Sequence, residues 1–203
     1  KGVILVHRNV THFVDAMMKV HPVDVGCRVV FTFPLVFDPH VLNVYPTLQQ
    51  RGTLYAFPKY YLLETMNKVV AERQITVIQW TSSALSTITV ECATHVKTVQ
   101  TGGEVLPPAL MRRWAAHVPH YTNGYGPTEV AVAATAMRCT VDMSEPISIG
   151  TPLNNVCAYV TDPTEMSVLL PPGVPGELVL TGPQVARGYM NLPDLTAQSF
   201  VSN

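Results

Sequence analysis

The segment 123–129 (NGYGPTE) combines residue types that suit nucleotide and phosphate chemistry. Tyr125 stands between two glycines, so its ring face could meet a flat base while backbone without a Cβ approaches the ligand closely. The Thr128 hydroxyl suits a phosphate oxygen, and Glu129 suits Mg²⁺, which typically takes one or two protein carboxylates together with phosphates. The same residues also suit a Gly/Pro turn in which Thr128 caps a helix, and their spacing favours neither interpretation.

Two further positions could contribute to a binding site. Asp38 follows Phe37, and a carboxylate facing a cleft at this point could pair with an amine, although Asp is also a common helix cap. Residues 101–104 (TGGE) could let the backbone approach a ligand, or could form an ordinary turn. His117 and His120 are close in sequence but have no third candidate ligand, so we expect no zinc site there.

Helical and strand-like segments alternate along the chain. Apolar residues recur at helical spacing in 10–20, 38–50, 59–73 and from about 107 to 115. Strand-like runs occur between them, at 28–33, 53–57, 75–80, 96–100 and 120–123. This alternation predicts an α/β fold with a layered, at least partly parallel sheet and flanking helices.

The character of the chain changes near residue 150. Short strand-like runs at 156–160 and 177–182 are separated by Pro/Gly turns, which predicts a β-rich subdomain with hairpins. We therefore divide the chain into an α/β part, residues 1–150, and the start of a β-rich part, residues 151–203.

A parallel sheet also predicts where a ligand binds. Ligands of open α/β sheets bind beyond the carboxyl ends of the strands. Those ends carry Gln79, residues 100–103 (QTGG) and residues 123–126 (NGYG), and two of the three are rich in glycine. The sequence therefore predicts a cleft lined by these three segments.

The overall composition excludes several classes of protein. The 203 residues contain 47% apolar and 13% charged residues, which is unlike a disordered chain. Thirteen Lys and Arg against 14 Asp and Glu, with no basic cluster, argue against a nucleic-acid partner. No apolar run reaches the roughly 18 residues of a membrane span. The four scattered cysteines lack a C-x-x-C pair and predict reduced thiols in a cytoplasmic protein.

Taken in order, these segments resemble the adenylate-forming enzymes, and more narrowly the amino-acid adenylation domains of nonribosomal peptide synthetases. The similarity covers nearly the whole chain, and several motifs in order are more specific than any one of them. They are KG at 1–2, VFDPHVLNVYPTLQQRGTLYAF at 36–57, YTNGYGPTE at 121–129, ISIGTPLNNVCAYVTD at 147–162 and PGELVLTGPQVARGYMNLPDLTAQSF at 175–200.

The resemblance implies the activation of an amino acid with ATP and Mg²⁺ as an aminoacyl adenylate, then transfer to phosphopantetheine on a carrier domain. Carrier and condensation domains of a parent synthetase would be the partners. The implied nucleotide-binding residues are Lys1, Gly103, Asn123, Tyr125, Gly126 and Thr128. Tyr125 would stack on adenine, Thr128 would contact the α-phosphate, and Glu129 would coordinate Mg²⁺; we assign the catalytic roles to Thr128 and Glu129.

The resemblance also implies an amino-acid pocket. Its lining would be Asp38, Pro39, Leu42, Gln79, Gln100, Gly102, Gly124, Val132 and Ala133. Asp38 would hold the α-ammonium, because an ammonium removed from water needs a charged partner. Gln79 and Gln100 favour a large or polar substrate side chain, because their donors and acceptors would stay unpaired against an apolar one.

The family also has a phosphate loop, an aspartate for the ribose hydroxyls and a C-terminal lobe with a lysine. The resemblance places most of the phosphate loop, this aspartate and this lobe outside residues 1–203. We therefore expect these residues to be inactive alone. Two other functions remain open. One is an acyl- or aryl-CoA ligase of the same superfamily, although a substrate without an amine has no use for Asp38. The other is a non-catalytic remnant that binds nucleotide or bridges neighbouring domains.

Overall fold

The computed structural model describes residues 1–201, which form two β-sheets and six α-helices. The helices are α1 (His7–Val20), α2 (His40–Gln49), α3 (Lys59–Glu72), α4 (Ser82–Leu85), α5 (Pro108–Ala115) and α6 (Pro193–Ser199). The first sheet contains β1 (Arg28–Val30), β2 (Thr53–Tyr55), β3 (Val77–Trp80), β4 (Thr98–Gly102), β5 (His120–Tyr125), β6 (Thr135–Arg138) and β7 (Thr151–Pro152). The second sheet contains β8 (Cys157–Thr161) and β9 (Glu177–Thr181). Short 3₁₀ helices span Val90–Cys92 and Thr128–Val130.

The seven-stranded sheet has the order β2-β1-β3-β4-β5-β6-β7. Strands β1 to β5 pair in parallel, while β6 and β7 extend the sheet in antiparallel pairs. The predicted α/β fold with a mainly parallel sheet is therefore confirmed. β1 ends at Val30, earlier than predicted, because the backbone N–H groups of Thr32 and Phe33 bond the Asn43 side chain of α2 instead of a neighbouring strand.

One face of this sheet is covered by a continuous apolar core. Trp114 of α5 and Met66 of α3 belong to the same buried cluster as Ile78 of β3 and Val99 of β4. Fully burying one large apolar side chain contributes about 1.5–3 kcal/mol. This face therefore provides much of the stability that holds the central strands in place.

The opposite face is apolar at its margins and polar at its centre. Phe13 and Met17 of α1 pack with Leu42 of α2 in a second buried cluster. Between them, Gln79 of β3 and Gln100 of β4 are buried on the same level of the sheet, because they are partners in the β3–β4 register. Two amides beneath two helices create a polar floor inside an otherwise apolar layer.

The chain after residue 150 begins within the large sheet and then forms the second one. β7 pairs with β6, so the seven-stranded sheet continues past the predicted boundary at 150/151, and β8 and β9 form an antiparallel hairpin-like pair. The division at 150/151 stays a prediction, and residues 202 and 203 of its second part lie outside the described residues. None of the helices in residues 1–201 is both long and apolar enough to cross a bilayer.

Contacts from the amino terminus reach the segment that follows β9. The backbone N–H of Ile4 donates to the carbonyl of Gly188 at 2.9 Å, and Val3 forms a bridge with Tyr189. The Asn9 side chain donates to the carbonyls of Pro183 and Val185 at 2.7 and 2.9 Å. These bonds bring Lys1 and Tyr189 to the same place.

The interpretation of Asp38 as a helix cap is wrong. Pro39 is the residue before α2, and no side chain caps this helix. The N–H of His40 bonds the carbonyl of Phe37, and the N–H of Val41 bonds the carbonyl of Asp38, at 3.1 and 3.0 Å. Because a backbone turn satisfies the first N–H groups of α2, the Asp38 carboxylate is not used for capping.

We expect the fold to lose stability below neutral pH because of His21. Burial and, to a smaller extent, the nearby His120 lower the pKa of this imidazole to about 3, and neither ring nitrogen has a hydrogen-bond partner in residues 1–201. The unfolded state, with a pKa near 6.5, binds the proton first, so stability is lost as the pH falls through 6.5 towards 3. Between pH 6 and 5 we expect a loss of about 1 kcal/mol in urea unfolding.

The control for this prediction is a second histidine substitution. His21→Leu should flatten the pH dependence, whereas His95→Leu, at an exposed position, should leave it unchanged. An unaltered slope in His21→Leu would show that other groups cause the acid sensitivity.

Candidate active site

A cavity of about 280 Å³ lies at the carboxyl ends of β3, β4 and β5, against the start of α2. All nine residues predicted for the amino-acid pocket line it: Asp38, Pro39, Leu42, Gln79, Gln100, Gly102, Gly124, Val132 and Ala133. The tertiary structure thus brings together residues from distant parts of the chain at one edge of the sheet. Their roles in binding a substrate stay predictions.

Asp38 is the ionisable residue of the cavity lining. Its Oδ2 is buried, and no donor within residues 1–201 forms a hydrogen bond with it. Burial raises the pKa of the carboxyl above its ordinary value, and the Thr128 hydroxyl and Val132 backbone N–H offset only part of that rise. A carboxylate held in this way gains from any cation that enters the cavity.

Backbone geometry shapes the part of the cavity wall that adjoins Asp38. Val132 has φ 78°, a conformation that costs a β-branched residue about 1–3 kcal/mol. The fully buried Gln184 holds this turn, because its Nε2 donates to the carbonyls of Val130 and Ala133 at 3.1 and 2.8 Å. Gly126 lies against the same turn, where an added Cβ would be 2.5 Å from the Cα of Ala133.

Glu129 lies beyond Thr128, in a cluster with Lys1 and Tyr189. The Tyr189 hydroxyl donates to Glu129 Oε1 at 2.5 Å, and Lys1 Nζ is 3.2 Å from the same oxygen. Lys1 also donates to the Tyr189 hydroxyl at 2.8 Å and lies 4.0 Å from the centre of its ring. Both of these side-chain contacts end on Oε1.

These contacts keep Glu129 ionised. Burial alone raises the pKa of its carboxyl, but the bonds from Tyr189, its own backbone and Lys1 outweigh burial and lower the pKa below its ordinary value. A single ionised carboxylate fits Mg²⁺, which usually keeps several waters and takes one or two carboxylates besides phosphates. Glu129 also lines a second cavity of about 550 Å³ beside the second sheet, next to the first cavity.

The predicted nucleotide-binding residues lie in three places. Gly103, Gly126 and Thr128 line the 280 Å³ cavity, and Lys1 belongs to the Glu129 cluster. The other two, Asn123 and Tyr125, are on β5, and neither lines that cavity.

The two β5 residues differ in exposure. Tyr125, 39% exposed, ends the strand and leaves ring surface open to solvent. Asn123 is buried, and its Oδ1 accepts a bond from the Thr101 hydroxyl at 3.3 Å. The predicted contact of Tyr125 with a base is compatible with this exposure, while an adenine contact by Asn123 would use the Nδ2 donors, because Oδ1 already accepts the bond from Thr101.

Sequence reasoning missed three contributors to the site. Tyr189 bonds Glu129 across 60 residues, Asn43 orients the polar floor, and Phe37 forms part of the cavity wall. Tyr189 belongs to the segment 175–200, which contributes to the family resemblance but in which no residue had an assigned role. Nothing in the spacing of α2 points to Asn43.

Comparisons with known proteins identify the family of this chain. The family profile described as "AMP-binding enzyme" matches residues 1–190. The chain is similar to gramicidin S synthase 2 of Brevibacillus brevis, with 35% identity over 210 residues, 100% of this chain and 5% of that protein. It spans between 2% and 9% of the length of eight of the curated relatives that it matches.

Solved structures share the fold at 23% sequence identity. The nonribosomal peptide synthetase FmoA3 superimposes with a TM-score of 0.87 over 98% of this chain and 23% of that one. The Vibrio cholerae adenylation domain AlmE, in complex with glycyl-adenosine-5'-phosphate, superimposes with a TM-score of 0.86 over 99% of this chain and 40% of that one. With the profile match extending along nearly the whole chain, the protein belongs to the family of AMP-binding enzymes.

Proposed function

We propose that this chain forms the amino-acid and nucleotide-binding part of an enzyme that activates an amino acid as its adenylate for nonribosomal peptide synthesis. The observation that carries the proposal is Asp38, a carboxylate with a buried and unpartnered oxygen in the lining of a preformed cavity. A carboxylate at this position favours a substrate that carries an ammonium group. Leaving this buried oxygen without a partner costs free energy that such a substrate recovers.

The reaction joins the substrate carboxylate to the α-phosphorus of ATP. One carboxylate oxygen forms the new P–O bond, the bond to the bridging oxygen breaks, and pyrophosphate leaves with the electron pair. Bound Mg²⁺ supplies positive charge to the phosphates. Thr128 would bind an α-phosphate oxygen and Glu129 would hold the ion, while Tyr189 and Lys1 keep the Glu129 carboxylate ionised and oriented.

The partners in the proposal follow from the second half-reaction. A phosphopantetheine thiol on a carrier domain attacks the acyl carbon, loses its proton, forms a thioester and releases AMP. The relatives are whole peptide synthetases by name, which supports carrier and condensation domains as neighbours of this chain. The four cysteines are free thiols in the described residues, which supports a cytoplasmic location.

The test is ATP–pyrophosphate exchange by the full-length protein with a panel of proteinogenic amino acids. We expect at least one α-amino acid to stimulate exchange well above the background without amino acid, and the signal to require Mg²⁺. The matching des-amino acids are the control. Exchange with none of the amino acids would contradict the proposal, and exchange with des-amino acids alone would favour an acyl- or aryl-CoA ligase.

A further inference from the structure

The floor of the 280 Å³ cavity consists of two buried carboxamides. Gln79 and Gln100 are 2% and 4% exposed, and they stand side by side because they are register partners on β3 and β4. Neighbouring strands are about 4.8 Å apart, so one small group can reach both amides. The hydrogen-bonding state of these amides therefore decides what the floor can bind.

Asn43 fixes the orientation of Gln79. The backbone N–H groups of Thr32 and Phe33 both donate to Asn43 Oδ1, at 3.1 and 3.4 Å, so its Nδ2 has to be the donor on the other side. That Nδ2 donates to Gln79 Oε1 at 3.0 Å. Gln79 thus uses its carbonyl for Asn43 and keeps its N–H donors, which have no acceptor within residues 1–201, for the cavity.

Gln100 has almost no partner. Its Oε1 is buried without a hydrogen bond in the described chain, and its Nε2 reaches only the Met17 sulfur, a weak acceptor, at 4.0 Å. If the oxygen and nitrogen of this amide are assigned the other way round, Gln100 still has one free acceptor and free donors. Gly124 leaves the amide accessible, since a Cβ at this position would lie 3.4 Å from Gln100 Nε2.

The floor also lacks charge. Asp38 is the ionisable residue in the cavity lining, and the proposed α-ammonium occupies it. A charged substrate side chain on the floor would lose its water without gaining a counter-ion. An apolar side chain would leave the Gln79 and Gln100 groups unpaired, at a cost of roughly tenfold or more in affinity for each group.

Resting on the proposed function, we propose that the site selects an α-amino acid whose side chain ends in a carboxamide. Such a group accepts from the Gln79 N–H with its oxygen and donates to Gln100 Oε1 with its nitrogen, so both floor residues are satisfied without a charge. A hydroxyl also donates and accepts, but through a single atom, whereas the oxygen and nitrogen of a carboxamide face the two amides separately.

The first experiment compares substrates in ATP–pyrophosphate exchange by the full-length wild-type protein. Glutamine and asparagine are measured against methionine and leucine as apolar analogues, glutamate and aspartate as charged analogues, and serine and threonine as hydroxyl analogues. We expect kcat/KM for one carboxamide amino acid to exceed that of each analogue by tenfold or more. Preference for an analogue would overturn this inference and leave the proposed function intact, whereas exchange with no amino acid at all would overturn the proposed function.

The second experiment removes the floor acceptor with Gln100→Leu. We expect the ratio of kcat/KM for the carboxamide over its apolar analogue to fall at least tenfold, while KM for ATP stays unchanged. Thr98→Val is the matched control, because Thr98 lies two residues earlier on β4, is buried and bonds the Pro22 carbonyl outside the cavity. An unchanged ratio in Gln100→Leu, or an equal change in both variants, would overturn the inference; if Gln100→Leu does not fold, the wild-type panel alone decides.

Discussion

In the full-length protein, Asp38→Ala is expected to lower amino-acid-dependent ATP–pyrophosphate exchange by at least two orders of magnitude. The substitution leaves the substrate ammonium buried without its partner, which typically costs about 3–5 kcal/mol, and each 1.36 kcal/mol is a factor of ten in rate. Exchange with the matching des-amino acid should fall far less, because that substrate brings no charge to the cavity. The measurement is kcat/KM for both acids with both proteins.

Two variants separate this effect from a loss of structure. Asp38→Asn keeps the size of the side chain and should show the same selective loss for the amino acid. Asp24→Ala removes an exposed carboxylate that pairs with Lys97 at 2.7 Å. This variant should leave kcat/KM unchanged for both the amino acid and the des-amino acid. Equal losses for the two acids would mean that Asp38 does not bind the ammonium, and the CoA-ligase alternative would then be preferred.

Glu129→Gln is expected to reduce exchange by about two to three orders of magnitude at limiting Mg²⁺. The size of this effect is taken by analogy from the loss of one donor to a developing oxyanion, which costs about 3–4 kcal/mol. Glutamine keeps an oxygen that can accept the Tyr189 hydroxyl bond, so the unfolding midpoint should change little. Exchange is measured across a Mg²⁺ titration, and wild-type rates at limiting Mg²⁺ would remove Glu129 from the metal role.

Tyr189→Phe tests whether Tyr189 positions Glu129. The variant removes only the hydroxyl that donates to Oε1, so we expect a smaller loss than with Glu129→Gln and a shift of the Mg²⁺ dependence to higher concentration. Glu177→Gln is the control, because Glu177 lines the same 550 Å³ cavity but is exposed. If Tyr189→Phe reduced ATP–pyrophosphate exchange by the same factor at every Mg²⁺ concentration, this result would contradict a positioning role.

The sequence determined the architecture of the large sheet. Apolar spacing in α1, α3 and α5 and the β-branched run in β3 are local patterns, and each of these elements is present with bounds shifted by at most a few residues. The helices of a parallel sheet have to cover both of its faces, so alternating helices and strands left few other arrangements. The same argument predicted the edge at which the cavity lies.

Motif order determined which residues surround that cavity. The Asp38 segment, the strand ends at Gln79 and Gly102, and the NGYGPTE segment at 123–129 each lie at the carboxyl edge, as a parallel topology requires. Their approach to one another needed no knowledge of side-chain contacts. Register and backbone direction were sufficient for the strand ends, whereas the family resemblance predicted that Asp38, Val132 and Ala133 line the same pocket.

Only the tertiary structure decided how those side chains are used. Asp38 could cap α2 or face a cleft, and the choice depended on backbone turns that satisfy the helix without it. The bond from Asn43 that orients Gln79 and the bond from Tyr189 to Glu129 join residues 36 and 60 positions apart. Local spacing carries no information about such pairs, because the partners meet only after the intervening elements have packed, and packing decides which polar atoms keep a partner and which remain open for a ligand.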